Sequence, residues 1–338
     1  MAVIAFSAVG ASVSHDIAGF RSTNHGELLG LLEHLGHRLV EPGDPAATHF
    51  VSLDHNRASF AAIAESIPAN RRVLVVYEPR VVIPASYRPS IRRAYGTVII
   101  MSAAGAGPYL ELPQRDWRTV PAAPGDHRPG TAAIVNANKL SSIRGSLYGL
   151  RRRVIAQFAR EQLPLTLAGA NWDRRGGALL VENARAMAYA ALNREVVDPR
   201  EWARTVPTTR SVTYLGKVKD KEAVLLDAEF AVVIENSATY VSEKLFDAVI
   251  AGCVPLYVGP PLADYGIPEA VAVALPPKAG AFTDAVRTLT AERKRAVLDA
   301  GAAWLASDET YRRWAMPNAL ARLAGAIHED IARKDGDR

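Results

Sequence analysis

The chain has 338 residues, long for one domain and natural for two on the usual scale of about 100 to 200 residues each. Apolar residues make up 49% and charged residues 22%, which excludes general disorder, and no run of about 18 apolar residues offers a membrane span. The net charge of +5 suits an anionic ligand, an anionic membrane face or an acidic acceptor; its basic residues lack the aromatic interleaving of a nucleic-acid platform.

The amino terminus, MAVIAFSAVGASVSHDIAGF, starts apolar but has no basic leader, and His15 and Asp16 interrupt it. No export signal is read there, so a cytoplasmic location is expected. The single cysteine, Cys253, lies between a helix end and a strand, which excludes an internal disulfide and a cysteine-built metal site. It reads as a small buried apolar residue.

Along the chain, short apolar runs alternate with amphipathic ones. A strand is predicted over 3–6, a helix over 27–35 stopped by Gly36, a strand over 49–53, a helix over 57–67, and strands over 73–77 and 97–101. Residues 113–130, PQRDWRTVPAAPGDHRPG, are dense in proline and carry no period, the composition of an interdomain connection. A second alternating series follows: strand 132–135, helix 147–162, strand 165–168, strand 228–234, helix 243–251 and strand 254–258. The expected fold class is therefore α/β, two Rossmann-like domains with mostly parallel sheets, divided as 1–125 and 126–338. Residues 311–334 are helical in pattern despite Pro317 and are expected to pack back on the first domain.

In open α/β sheets, ligands bind beyond the carboxyl ends of the strands, so polar residues just after strands carry the most weight. Three such places stand out: Glu78, the segment 136–153, and the turn 235–244. The third is the most informative. FAVVIENSATYVSEKLFDAVIAGCVPLYVGPP, residues 230–261, reads as a buried strand, a polar turn, a helix ended by Gly252 and a second strand. A polar turn feeding a helix start is a ready anion site, and Lys244 adds a full charge there.

The same segment resembles the signature of the family-10 glycosyltransferases, the α-1,3-fucosyltransferases. It keeps Glu235, Asn236, Ser237, Tyr240, Glu243, Lys244, Val254, Pro255 and Gly259, while Ile234 stands where an aromatic residue is common and Ser242 replaces a threonine. Weaker echoes lie in IVNANKLSSIRGSLYGLRRRVIAQF, LTLAGANW and YEPRVVIPASY.

The resemblance implies a GT-B fold, with a GDP-sugar donor held mainly by the second domain and a glycan or glycolipid acceptor by the first. It makes Tyr240, Glu243 and Lys244 nucleotide contacts, with Asn236 and Ser237 lining the same turn. The residue that neutralises the diphosphate falls on Arg151 or Arg152, and the general base falls on Glu78. No further cofactor and no obligatory metal are implied.

The chemistry is consistent with that assignment. Inverting sugar transfer, foremost of L-fucose from GDP-fucose, needs a base for the acceptor hydroxyl and positive charge for the departing diphosphate.

Taken singly, each residue has a plainer reading. Glu243 and Lys244 are ordinary solvated helix-start residues, Tyr240 a packed aromatic, and Glu78 a loop residue before proline. His15, His25, Asp54, His55, Asn56 and Trp172 are weaker candidates for contacts, Trp172 being the more natural core residue. Two other readings stay open: a GT-B transferase using another nucleotide sugar, and a non-catalytic nucleotide-binding Rossmann-like protein.

Overall fold

The computed structural model describes residues 1–9, 16–23, 25–101, 109–118, 128–175, 177–196 and 210–336. These form two compact units, Met1–Asp116 with Tyr311–Arg338, and Trp117–Thr310. The division falls at Asp116, ahead of the boundary drawn at 125/126, and returns the last segment of the chain to the first unit. Of the proline-rich segment, 119–127 lies outside the described residues, as does His15.

The first unit contains β1 (Val3–Ala8), α1 (Ile17–Arg21), α2 (Glu27–His34), β2 (Arg38–Val40), β3 (His49–Leu53), α3 (Arg57–Ile63), β4 (Arg72–Val76), α4 (Pro89–Arg92), β5 (Thr97–Met101) and β6 (Tyr109–Leu110). The strands lie in the order β2-β1-β3-β4-β5-β6, and every pairing is parallel. Every residue of β3 and β4 is buried, the polar His49, Ser52 and Arg72 among them, as strands covered on both faces should be. Asn56 starts α3 by accepting from the amides of Ala58 and Ser59, and the helix stops at Ile63, four residues short of the predicted end.

The second unit contains β7 (Arg128–Val135), α5 (Tyr148–Arg160), β8 (Leu165–Ala168), α6 (Gly177–Leu192), β9 (Val212–Gly216), α7 (Lys221–Leu226), β10 (Ala228–Ile234), α8 (Glu243–Ile250), β11 (Val254–Val258), β12 (Val273–Ala274), α9 (Ala279–Thr288) and α10 (Ala291–Ala306). Its parallel sheet runs β12-β11-β10-β7-β8-β9. Helix α8 buries Leu245, Phe246, Ala248, Val249 and Ile250, and Gly252 follows it at φ +69, a left-handed residue that suits glycine. Cys253 is buried and donates to the carbonyls of Leu225 and Ala228, while burial pushes its thiol up to about 12, so it is inert.

The predicted carboxy-terminal helix is two helices, α11 (Asp308–Trp314) and α12 (Met316–Gly336). Pro317 sits in the first turn of α12, where a missing N–H costs nothing. Between the helices, Gln114 pairs with Ala315: its N–H reaches the carbonyl of Trp314 at 2.8 Å, and its carbonyl accepts from Met316 at 2.7 Å. Helix α12 packs on α2 within the first unit. Asp330, 5% exposed, is held there by Thr97 and Lys334. No helix among the described residues is long and apolar enough to cross a membrane.

Candidate functional site

In the second unit the sheet reverses direction of growth between β7 and β10: β8 and β9 extend one way from β7, β11 and β12 the other from β10. Such a switch point leaves a crevice beyond the strand ends, because the connections leave toward opposite sides. Both polar segments singled out in this unit start there, Asn136 after β7 and Glu235 after β10.

The turn after β10 is built around a buried carboxylate. Glu235 is 0% exposed and accepts from the Ser242 amide at 3.0 Å and the Ser242 hydroxyl at 2.6 Å. Ser242 also caps α8 by accepting from the Lys244 amide, and its hydroxyl oxygen accepts from Lys244 Nζ at 2.8 Å. Glu235, Ser242 and Lys244 thus form one chain that fixes the start of α8. Burial pushes the Glu235 pKa up, and Lys244 and the Ser242 bonds act against that shift.

Gly259 closes the turn from the side of β11. A Cβ there would lie 2.3 Å from the Tyr257 hydroxyl and 2.7 Å from Glu235 Cγ, so no larger residue fits without moving them. The resemblance includes Glu235 in its motif and gives it no role in the site. Its position between an apolar strand and a serine cap is the signal that could have found it.

Arg151 and Arg152 lie in the first turn and a half of α5 and are both buried. Arg151 donates to the Ile234 carbonyl through Nε at 3.2 Å and Nη2 at 2.6 Å, and Nη2 also reaches Asn236 Oδ1 at 3.0 Å. Its guanidinium lies over the Tyr148 ring at 4.7 Å. Burial lowers its pKa, while Tyr148, Glu235 and Glu243 favour the charged form, so it stays a cation. Arg152 faces the other strand end, donating to Asn138 Oδ1 and the Lys139 carbonyl, each at 3.2 Å.

Asn236 and Ser237 are fixed against the segment that starts α5. The Asn236 carbonyl accepts from the Leu147 amide at 3.0 Å, and Ser237 pairs with Ser146. The structure therefore brings Arg151, Asn236, Ser237, Glu243 and Lys244 to one end of one sheet, with Arg152 on the adjacent turn. Tyr240 is in the same turn but 6% exposed, closer to the packed aromatic of the plainer reading. Glu243, half exposed, feels desolvation first, but Lys244, Lys221 and its own helix-start amide outweigh that and hold its carboxyl low.

Beside these groups is a small gap lined by residues that include Ala133, Ala231, Asn136, Lys244 and Asp247. The Asn136 side-chain oxygen is buried and meets no hydrogen-bond partner among the described residues, which invites a donor from a ligand or water. Gly169, φ +130, comes so close to this turn that a Cβ would lie 2.1 Å from the Asn136 carbonyl. Trp172 is a core residue, 4% exposed, donating to the same carbonyl at 2.6 Å. Among the described residues no group of three or more His, Cys, Asp or Glu is arranged to hold a metal ion.

In the first unit, Glu78 is half-buried just beyond β4, separate in sequence from the second unit's groups. Its neighbour Asp54 follows β3, fully buried, with φ +58. Asp54 accepts from the amides of Tyr77 at 3.3 Å and Glu78 at 2.9 Å and from the Ser86 hydroxyl at 2.9 Å. Tyr77 Oη meets His25 Nε2 at 2.6 Å. Asn56 serves as the α3 cap, and His55, whose pKa burial lowers to about 4, bonds to Tyr95.

Burial raises the Asp54 pKa to about 8, Ser86 and the two amides opposing. The unfolded chain gives up this proton near 3.9, so between those values the folded state binds more protons and this contribution to stability declines as pH rises. Relative to Asp54→Asn, the wild-type Tm is expected to fall by several degrees from about pH 4 to pH 8. Parallel melting curves that show no difference in slope would remove the shift.

No family model and no curated protein matches the chain. Solved structures do match. A glycosyltransferase from Rickettsia africae ESF-5 has a TM-score of 0.54 at 11% identity, covering 98% of this chain and 99% of that one. An α1,3-fucosyltransferase has a TM-score of 0.54 at 14% identity, covering 98% and 90%. HepE of Anabaena, in complex with UDP and glucose, has a TM-score of 0.55 at 9% identity, covering 97% and 100%. At these identities the likeness is one of fold. The chain has the α/β GT-B fold, with two Rossmann-like units and parallel sheets, in common with glycosyltransferases of known structure.

Proposed function

We propose that the protein is an inverting glycosyltransferase that moves a sugar, foremost L-fucose from GDP-fucose, to a hydroxyl of a glycan or glycolipid. The observation that carries this reading is the convergence at the β7/β10 switch point of Arg151, Lys244, the start of α8 and a buried Asn136 oxygen without a partner among the described residues, beside a small gap. Cations and the positive dipole end of a helix at one strand end suit a diphosphate. The resemblance of residues 230–261 to the fucosyltransferase signature supports the GDP-sugar in particular.

In this reading the diphosphate lies near Lys244 and the start of α8, with Arg151 or Arg152 adding charge as the leaving group departs. Glu243 accepts from ribose hydroxyls, and Asn236, Ser237 and Tyr240 shape the turn. Glu78 takes the acceptor proton, and no metal is needed to neutralise the leaving group.

A UDP-sugar is the second reading, favoured by the GT-B neighbour solved with UDP and glucose. Thermal shift with GDP, UDP and ADP, followed by a nucleotide-sugar hydrolysis screen, separates the two. Stabilisation by GDP alone supports the fucosyltransferase reading, and preference for UDP replaces it. Stabilisation with no hydrolysis of any nucleotide sugar would favour a binding protein.

Lys244→Ala is expected to weaken nucleotide binding about 30-fold, the equivalent of a charge-assisted hydrogen bond of about 2 kcal/mol. Isothermal titration at two salt concentrations reads this directly. The wild-type affinity should fall with salt more steeply than that of the variant.

A further inference from the structure

Glu78 is held by its main chain on both sides. Its N–H donates to Asp54 Oδ2 at 2.9 Å, and its carbonyl accepts from the Tyr87 hydroxyl at 3.1 Å. Asp54 is itself fully determined by its surroundings. Its own N–H bonds to the Val75 carbonyl at 2.7 Å, and its Oδ1 takes the Tyr77 amide and the Ser86 hydroxyl, which in turn accepts from the His55 amide. A buried aspartate in a left-handed conformation, at the strand beside the one that carries Glu78, is costly for a fold to keep. Two of its three acceptor bonds hold the turn that aims Glu78, and the third ties it to Ser86.

We propose that Asp54 is a positioning residue for Glu78: its carboxyl group fixes the Tyr77–Glu78 main chain, so that the Glu78 side chain is presented to the reacting hydroxyl in one orientation. This rests on Glu78 acting as the base. Asp54 touches no substrate in this scheme and transfers no proton.

Asp54→Asn tests it cleanly, because the two carboxyl oxygens have different partners. If the amide oxygen keeps the Tyr77 and Ser86 donors, the amide nitrogen faces the Glu78 N–H, donor against donor, and only the bond to Glu78 is lost. Asparagine also tolerates a positive φ. A base displaced by a fraction of an ångström to one ångström is expected to lower kcat on the order of 10-fold to 100-fold. The donor KM should stay within about 2-fold, since binding is untouched.

The deciding measurement is a double-mutant cycle on sugar release from GDP-fucose, or from the nucleotide sugar that the hydrolysis screen selects. If Asp54 acts through Glu78, adding Asp54→Asn to Glu78→Gln lowers kcat no further. If the two losses multiply, or Asp54→Asn turns over like wild type, the proposal is overturned. Wild-type turnover in Glu78→Gln alone overturns instead the assignment of Glu78 as base.

Hydrogen exchange reads the clamp without activity: the Glu78 amide should exchange at least about 10-fold faster in Asp54→Asn while strand β4 stays protected. An unchanged rate counts against the clamp. Tyr87→Phe, which releases the Glu78 carbonyl from the other side, serves should Asp54→Asn fail to fold; it is expected to show the same loss of kcat and the same lack of additivity, and additivity there would overturn the proposal.

Discussion

Glu78→Gln is expected to lower turnover by about 10²–10⁴-fold, the usual contribution of a positioned base, with nucleotide affinity unchanged. Glutamine keeps the size and the hydrogen-bonding shape of the side chain but cannot take a proton. The main chain of residue 78 is held by Asp54 and Tyr87 whatever side chain it carries, so the substitution removes chemistry and leaves geometry. Steady-state kinetics with the selected nucleotide sugar and calorimetry with the matching nucleotide separate the two effects. A variant that turns over like wild type would take Glu78 out of the reaction.

Arg151→Ala is expected to have the largest combined effect, because this side chain serves both fold and site. Its guanidinium grips the Ile234 carbonyl twice and Asn236 Oδ1 once, at the point where β10 passes into the polar turn. Truncation leaves those acceptors buried without their donor and opens a gap beneath Tyr148. A loss of about 3 kcal/mol in stability is expected, read as a lower denaturant midpoint.

Nucleotide binding should fall with it, since the turn that carries Asn236 and Ser237 loses its anchor. Arg151→Lys restores the charge but not the planar fork, and should recover affinity only in part. If Arg151→Ala binds nucleotide as wild type does, the neutralising role moves to Arg152, whose own grip on Asn138 and Lys139 places it beside the neighbouring strand end.

Much of the second unit was legible because its signals are local. A buried strand, a serine cap, the apolar face of α8 and Gly252 after its last turn each follow from the nature of adjacent residues. The inert Cys253 and the core Trp172 were legible in the same way. Helix ends were less so: α3 stops at Ile63, since nothing in its sequence beyond that point marks where packing ends. The apparent contradiction of a proline inside the last helix also dissolves only in the structure, where a break at Ala315 puts Pro317 in a first turn.

By itself, the sequence determined the kind of each principal element and the order in which polar groups follow strands, because period and capping act between near neighbours. It placed Lys244 at a helix start and Glu78 at a strand end. Only the tertiary structure decided that β7 and β10 lie side by side, which joins Asn136 and Arg151 to the Glu235 turn. The last segment packs on the first unit, as expected from the sequence, and the structure alone decided that Asp54 rather than a residue of its own strand holds Glu78. Parallel pairing between distant strands leaves no local mark: it is selected by burial of both sheet faces, and that is a property of the whole unit.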